Sequence, residues 1–380
     1  MLVLPKQLIA ITLLLILMAA DFVFAAQTHY TQFEVASGQV PSAQTNFPAI
    51  ISWCDVRIRH TSDGGNVADT SGFDIRPYSD AALSTVLTFE LVSYTSSGSE
   101  GCVEMYILIA SIDVGSDVYL GYGDTSLTTD GSSTSTWPSA YQGVYLFRTT
   151  ADSTANGRTM SIPGGGPAIN QTTSPPGVVG AYADFDGAFD ACSSEHDWYG
   201  GTAAVTHEMW LRHDEDVMSY LNFHFTGGVG SYFRYGDDDG THIIWQIHGT
   251  TAYGKTDSTL PVDGTWYHVV IVFDGGGATN PDKVKIYING AVDTLTMAGT
   301  WPTTLPDPSS DTLTIGTSYV EDFDGGLAAL KYRNDVVSAD YVLTRYQNEN
   351  ALGFWDISSE VAVGGGGAPF GCQGVLCGIL

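Results

Sequence analysis

The sequence has few positive charges and few long apolar runs. Only 14 lysines and arginines stand against 42 aspartates and glutamates, which gives a formal net charge of −28 at pH 7. A chain this acidic repels a phosphate backbone, and this argues against nucleic acid as a partner. After residue 25 no segment is long and apolar enough to cross a bilayer. Divalent cations, neutral glycans and protein surfaces remain as ligand classes.

The N-terminus has the pattern of a processing segment. Lys6 precedes an apolar run over residues 8–20, and small residues end the segment at Ala25. An apolar core of about 13 residues is too short to span a bilayer. We expect residues 1–25 to be a cleaved secretory signal, with an uncleaved anchor as the alternative. The rest of the chain would be extracellular or at a cell surface, with no further membrane span.

Cysteine is scarce, with five residues in the whole chain. Secretion would permit disulfides. Cys54 and Cys102 lie in one predicted domain, and we favour that pair. Cys372 and Cys377 would close a short loop near the end of the sequence. Cys192 is left over, either buried or free for intermolecular pairing.

What the chain has in abundance is glycine and tyrosine, 44 and 20 residues, which is typical of strands and tight turns. Residues 266–273 form a nearly continuous apolar run that ends at Asp274-Gly275. Residues 284–288 alternate apolar and polar side chains and end at Asn289-Gly290. The pattern predicts two neighbouring strands inside an all-β sandwich.

These runs follow other strand-like segments in a fixed order. They include residues 183–187, 205–212, 313–316 and 323–327. The series resembles a laminin-G-like domain, a concanavalin A-like jelly roll, and we assign it to residues 177–350. The resemblance implies a fold that binds glycans or protein surfaces more often than it cuts them.

Residues 26–147 read as a second all-β unit, closed by Tyr-Leu-Gly-Tyr-Gly-Asp at 119–124. Their order of motifs resembles the domain of unknown function that commonly precedes laminin-G-like domains in bacterial and phage surface proteins. The resemblance implies a second β-sandwich and no particular chemistry. Residues 148–176 are predicted to be a linker. Residues 351–380 form a Gly-rich tail, either a flexible end or a docking strand.

Catalytic motifs are missing. Glycosidases on the concanavalin A-like fold place carboxylates as Glu-x-Asp-x-x-Glu on one strand. Glu195 and Asp197 begin such a run, but Gly200 stands where the last acid is needed. No Gly-x-Ser-x-Gly elbow, His-Glu-x-x-His helix or paired-cysteine zinc motif occurs. We therefore predict a protein that is not an enzyme, with an atypical glycoside hydrolase as an alternative.

One predicted sheet face has the residue types of a sugar-binding surface. Its polar and aromatic side chains alternate with apolar ones and offer hydrogen-bond donors and flat rings. An ordinary solvent-facing sheet is the alternative, and Trp210, Trp266 and His268 are expected in the core. The candidate ligand-binding residues are His224, Tyr232, Arg234, His242, Gln246 and His248.

Calcium is the cofactor that the resemblance implies, held by carboxylates at the sheet rim. Asp184, Asp186 and Asp324 match the acidic landmarks, but Ala328 and Ala329 stand where the family usually has acidic residues. The sequence as a whole predicts a secreted protein that binds carbohydrate or glycoprotein. The alternative class is a structural component of a cell envelope, extracellular filament or phage virion that assembles with its own copies.

Overall fold

The structure is a computed structural model in which part of the chain is described. The described residues are 27–162, 166–171, 181–187, 190–194, 201–214, 221–225, 231–235, 242–247, 250–261, 263–306, 313–316, 323–350 and 353–363. For residues 170, 171, 221–225 and 231–235 only the backbone is described. The predicted signal, Cys372, Cys377 and His248 lie outside these ranges.

Strands far outnumber helices in the described chain. The N-terminal part contains β1 (His29–Val35), β2 (Gln44–Asp55), β3 (Arg76–Tyr78), β4 (Phe89–Ser96), β5 (Gly101–Ile112), β6 (Asp117–Tyr122) and β7 (Tyr141–Tyr145). Next come β8 (Ala168–Gln171), β9 (Tyr182–Asp186), β10 (Ala191–Ser194), β11 (Ala204–His213), β12 (Leu221–Phe225), β13 (Ser231–Tyr235), β14 (Ile243–Ile247) and β15 (Tyr253–Thr256). The last elements are β16 (Trp266–Asp274), α1 (Asn280–Lys283), β17 (Val284–Ile288), β18 (Ala291–Val292), β19 (Leu295–Ala298), β20 (Leu313–Gly316), β21 (Asp324–Arg333), α2 (Ala339–Glu349), β22 (Trp355–Ile357) and β23 (Val361–Ala362). The all-β fold class is confirmed.

The strands form four antiparallel sheets. In the N-terminal unit, one sheet has the order β22-β1-β6-β3, with β23 also paired to β1, and the other has the order β2-β5-β4. In the C-terminal unit, a seven-stranded sheet runs β10-β20-β12-β13-β14-β15-β19. It faces an eight-stranded sheet that runs β18-β17-β16-β11-β21-β9-β8, with β7 also paired to β21.

Each pair of sheets encloses an apolar core, as expected from the period-two alternation of the strands. The C-terminal core joins residues from both large sheets, including Trp245, Met209 and Ile271, each at most 1% exposed. Cys192 is fully buried in this core as a free thiol, which is the first of the two alternatives left by the sequence. In the N-terminal unit, the predicted Cys54–Cys102 disulfide is present and joins β2 to β5 at directly opposed positions.

Several strand pairings cross the predicted domain boundaries. Strand β7, from the N-terminal unit, pairs with β21 of the C-terminal unit. Strands β22 and β23, from the predicted tail, pair with β1 at the start of the described chain. For its described part, the tail is therefore a docking strand. Strand pairing therefore joins the two sandwiches through the segments that precede and follow the C-terminal unit in the sequence.

Helix α2 docks the C-terminal unit onto strand β2. The Ser338 hydroxyl accepts a hydrogen bond from the backbone N–H of Tyr341 and caps the first turn. Asn348 lies in the last turn and is 1% exposed. Its side chain accepts from the backbone N–H of Ile50 at 2.8 Å and donates to the Ile50 carbonyl at 3.0 Å. One side-chain amide thus satisfies both backbone groups of a buried strand residue. Neither described helix is long and apolar enough to cross a membrane.

We expect Asn348→Ala to lower the free energy of unfolding by about 1–3 kcal/mol. The substitution leaves the buried N–H of Ile50 unpaired, which costs about 1–3 kcal/mol, whereas the Ile50 carbonyl keeps its hydrogen bond from the Trp355 indole. Urea unfolding at pH 7 measures the loss. Asn334→Ala is the matched control, because Asn334 is exposed in the turn before α2. Equal stability of the two variants would contradict the docking role of Asn348.

Candidate functional site

Four of the predicted binding residues, His224, Tyr232, Arg234 and Gln246, fall on three adjacent strands of the seven-stranded sheet, β12, β13 and β14. Tyr232 on β13 lies opposite Gln246 on β14, and Gln246 lies opposite Tyr253 on β15. Opposed residues of an antiparallel ladder share a sheet face. His242 precedes β14 at the same parity, and His224 lies on the next strand, β12, opposite Thr314 of β20. The register therefore brings these positions to one face, while His248 lies outside the described residues.

Burial separates the two faces of this sheet. Ile243, Trp245 and Ile247 point into the core and are at most 1% exposed, as the sequence predicts. On the opposite face, which we call the outer face, His242, Gln246 and Tyr253 are half-buried. A further outer-face position, Ile244, is only 6% exposed. Its strand, β14, pairs with β13 on one side and β15 on the other, so Ile244 lies in the middle of the outer face. Because this middle position is apolar, the face is less polar than the alternating sequence predicts.

The strands of this sheet contain no acidic residue. None of the 42 aspartates and glutamates falls within β10, β12, β13, β14, β15, β19 or β20. The basic residues within them are His224, Arg234 and Lys255. Lys255 lies opposite Ile244 and is half-buried on the outer face. In a chain of net charge −28, the strands of this sheet are therefore neutral to basic.

The second outer surface of the C-terminal sandwich belongs to the eight-stranded sheet, and the N-terminal unit and α2 cover it. Val270 and Val272 of β16 lie in one apolar cluster with Phe47 of β2 and Val342 of α2. Trp210 and His268, expected in the core, are 3% and 0% exposed, but they lie on this covered surface and not between the two large sheets. On the seven-stranded sheet, in contrast, His242, Gln246, Tyr253 and Lys255 are only half-buried, and we take this sheet as the candidate binding surface.

A network of buried charges lies on the covered surface. Lys331 Nζ is 2.7 Å from a carboxylate oxygen of Glu208 and 2.7 Å from one of Glu349. Arg345 Nε lies 3.4 Å from Glu208 and is fully buried like the other three. Tyr106 of β5 donates a hydrogen bond to Glu349 at 2.9 Å. The network joins β11, β21 and α2 to the N-terminal sheet.

The two cations of this network favour the ionised form of Glu208. Burial alone opposes ionisation of Glu208, but Lys331 and Arg345 outweigh it and hold the pKa of Glu208 well below its usual range. The stabilisation gained from this depressed pKa is present above the unfolded value, near pH 4.3, and is lost as the pH falls below it.

Glu208, His268 and Glu349 bring their ligand atoms within 4.8 Å of one another, which is close enough for a metal site. The position is already taken, because the Lys331 ammonium lies between the two carboxylates. A second cation would be repelled there, and all three residues are at most 1% exposed, so no substrate reaches the carboxylates. The group is therefore a structural ion network and neither a metal centre nor a catalytic pair.

The three aspartates of the predicted calcium site lie on β9 and β21. Asp186 is directly opposite Asp324, and Asp184 is opposite Gly326. Asp184 is already engaged, since Arg212 Nη2 lies 3.1 Å from its carboxylate. Partial burial raises the pKa of Asp184, and Arg212 acts against that rise. Within the described residues, the three do not bring one ligand atom each within 4.8 Å of the others.

The two alanines that replace the family's acidic residues pack in an apolar cluster. Ala328 and Ala329 are fully buried with Tyr182, Trp210 and Trp266. A carboxylate at either position would lie beneath aromatic rings, so the geometry does not fit a three-carboxylate calcium site here. Calcium binding stays a prediction, and Asp186 and Asp324 are its remaining candidates.

Sequence reasoning missed Tyr253 and Lys255 as members of the outer face. Both lie on β15, a four-residue strand, and alternate with the buried Gly254 and Thr256. The alternation was a usable signal, but a strand this short has too few residues to stand out from a loop.

Comparisons with known proteins agree with the fold of the C-terminal unit. Residues 185–343 match the family model described as the concanavalin A-like lectin/glucanases superfamily. The predicted concanavalin A-like domain is thereby confirmed, whereas the resemblance assigned to the N-terminal unit stays a prediction. No curated protein matches the chain.

Solved structures show weaker likenesses. Domain 4 of AbnA, an extracellular arabinanase of Geobacillus stearothermophilus solved with arabinotriose, is 19% identical, with a TM-score of 0.40 over 55% of this chain and 98% of that domain. A botulinum neurotoxin type C structure, whose cell entry depends on two ganglioside molecules, is 9% identical, with a TM-score of 0.42 over 55% of this chain and 51% of that one. A pentraxin of Limulus polyphemus is 16% identical, with a TM-score of 0.34 over 42% of this chain and 78% of that one. At these scores the likenesses support no conclusion about function, and this chain spans about half the length of the neurotoxin chain.

We expect Lys331→Met to lower the free energy of unfolding by about 3–5 kcal/mol, because it leaves two buried carboxylates with one cation fewer. Urea unfolding at pH 7 measures the effect. Lys285→Met is the matched control, since Lys285 is an exposed lysine on β17 of the same sheet. A loss below about 1 kcal/mol, the size typical of a surface pair, would contradict the network's role.

We also expect the free energy of unfolding to decrease as the pH is lowered from 7 to 5, because of His207. Burial lowers the pKa of His207 to about 3. The unfolded chain takes up a proton near pH 6.5 while the folded chain does not, so acid favours unfolding. In urea unfolding, the wild type should lose about 2 kcal/mol more than His207→Leu over this interval. Met209→Leu, on the same face of β11, should retain the wild-type loss. An equal loss in all three proteins would contradict this assignment.

Proposed function

We propose that this chain is a secreted protein that binds a carbohydrate or glycoprotein on the outer face of its seven-stranded sheet and does not cleave it. The family match over residues 185–343 supports a lectin or glucanase type of fold. The fold alone does not choose between binding and cleavage. The choice rests on the side chains of the seven-stranded sheet and on which surface of the C-terminal sandwich a ligand can reach.

The observation that carries the proposal is the absence of acidic residues from the strands of the seven-stranded sheet. Glycoside hydrolysis needs two carboxylates about 5–10 Å apart across the bond that breaks. The strands of this face do not supply one, although the chain as a whole is rich in acids. Amide, hydroxyl and basic groups can hold a glycan without breaking its bonds, and this favours binding over the alternative of an atypical glycosidase.

The geometry of the face suits a short glycan. Tyr232, Gln246 and Tyr253 occupy opposed positions on three neighbouring strands, which span about 10 Å at the usual strand spacing. Gln246 offers donor and acceptor groups, and Tyr253 offers a ring with a hydroxyl group.

Assembly with other copies is the alternative from a different class. It predicts a large homo-oligomer and no saturable glycan binding, whereas the binding proposal predicts the reverse. Calcium belongs to the same test, since a chelator removes any contribution of Asp186 and Asp324 from the rim. Each alternative therefore has its own readout in one set of measurements.

We expect residues 26–380 to bind a sugar class saturably on a broad glycan array, and Gln246→Ala/Tyr253→Ala to weaken that binding at least tenfold. The double variant removes an amide and a ring from the outer face. Isothermal titration with the best array ligand, with and without a calcium chelator, gives the affinities. The triple variant Tyr232→Ala/Arg234→Ala/His248→Ala tests the positions predicted from sequence alone.

Tyr119→Ala is the matched control, because Tyr119 is a half-buried tyrosine on β6 of the N-terminal unit. It should bind like the wild type. Unchanged affinity in the double and triple variants would discard the outer face as the site. No binding to any glycan, together with a large particle in light scattering, would favour assembly. Product release from a polysaccharide would favour the glycosidase.

A further inference from the structure

We propose that the N-terminal unit carries a second binding site, a groove for one or two neutral sugar units, between strand β4 and the segment 146–153. We call it the β4 groove. Its cavity volume is about 290 Å³, near the lower end of the range for small-molecule sites. It lies on a different sandwich from the outer face described above, so the two sites are independent.

Glu90 gives the groove an oriented acceptor. Trp137 Nε1 donates to one carboxylate oxygen at 2.6 Å, and Ser153 Oγ donates to the other at 2.7 Å. A carboxylate has about four lone-pair positions, so two further positions can accept hydroxyl groups of a ligand. Burial raises the pKa of Glu90, while its two donors act against the rise. The carboxylate is thus fixed in direction and only partly solvated.

The walls of the groove add a hydroxyl group and a guanidinium group as hydrogen-bond donors. Ser132 Oγ accepts a hydrogen bond from the backbone N–H of Leu91 at 2.9 Å, which leaves its own proton to donate. Arg148 donates through Nη2 to Glu104 at 2.7 Å. Its Nε is buried and has no hydrogen-bond partner.

Two backbone irregularities shape the groove. The ladder between β4 and β5 shifts register between Leu91 and Ser93, which is a β-bulge at Val92. Phe147 has a φ of 53°, in the left-handed region that a bulky residue rarely adopts. Its ring is 2% exposed and held in the C-terminal core. The strained turn at Phe147 therefore positions the segment that follows against β4, and strain of this kind is typical of binding sites.

The lining identifies the class of ligand. Val92 and Leu146 give an apolar floor, and Ser132, Thr134 and Ser153 give a rim of hydroxyl groups. Glu104 neutralises Arg148, which leaves Glu90 and Asp152 as a surplus of negative charge. A neutral sugar presents an apolar C–H face and a ring of hydroxyl groups, which matches this floor and rim. An acidic sugar would be repelled, in contrast to the outer face, whose strands contain no acidic residue.

The test titrates the full chain with the methyl glycosides of glucose, galactose, mannose and N-acetylglucosamine, and with methyl glucuronoside as the acidic counterpart. Saturation-transfer NMR and calorimetry report the binding. We expect a neutral glycoside to bind the wild type and to lose at least tenfold in affinity in Thr134→Trp, whose indole fills the groove. Thr128→Trp, at an exposed position outside the lining, is the matched control and should bind like the wild type.

A second variant guards against misfolding. Glu90→Gln keeps both local contacts, since the amide oxygen can accept from Trp137 and the amide nitrogen can donate to Ser153. It should fold and still weaken binding several-fold, because only one acceptor atom remains. Gln246→Ala/Tyr253→Ala should leave this binding unchanged, whatever happens at the outer face.

The outcomes separate the two proposed sites. Binding lost in the groove variants and kept in the outer-face variant supports the groove. Binding lost only in the outer-face variant overturns the groove and leaves the outer face. No neutral glycoside bound by the wild type, or tighter binding of glucuronoside through the groove residues, also overturns it.

Discussion

Compensation of charge at a buried surface is the constraint on which the arrangement of the two sandwiches depends. Glu208 and Lys331 face each other across β11 and β21, and neither can be buried without the other. Glu349 and Arg345 bring α2 into the same network, and Tyr106 brings in the N-terminal sheet. Apolar surfaces can pack against each other in several relative positions. Paired charges and hydrogen-bonded backbone groups meet their partners in only one. The network therefore fixes the orientation of the two units more strictly than apolar packing alone would.

That orientation determines which surfaces remain for ligands. Because the eight-stranded sheet is covered, the half-buried polar side chains of the C-terminal sandwich that a ligand could meet lie on the seven-stranded sheet. The same docking places the end of β7 and the segment after it beside β4. The outer face and the β4 groove are thus two results of one packing arrangement. They differ in charge because acidic residues are excluded from the strands of one and line the other.

Much of the fold could be predicted from local pattern. The apolar run and turn signals placed β16 and β17 within a residue of their observed bounds, and alternation assigned Ile243, Trp245 and Ile247 to the core. The Cys54–Cys102 pair could also be predicted from the sequence. The covering of the eight-stranded sheet could not. Lys331 alternates with Leu330 and Tyr332 as a solvent-facing residue would, and only packing between distant segments buries it. A single sequence records the period of a strand but not what lies against its polar side.

The pairing of β1 with β22 and β23 has a mechanical consequence. His29 lies opposite Ala362, and Val35 lies opposite Trp355. Tension applied through the chain before Gln27 and after Val363 would first load the hydrogen bond from the Val363 N–H to the Thr28 carbonyl, then the His29–Ala362 pair, and would open the ladder one pair at a time. Peeling needs far less force than shearing several hydrogen bonds at once. It would stop where Phe354 is fully buried and the Trp355 indole donates to the Ile50 carbonyl. A protein held at both ends would thus yield a short length of chain under load before either sandwich is strained.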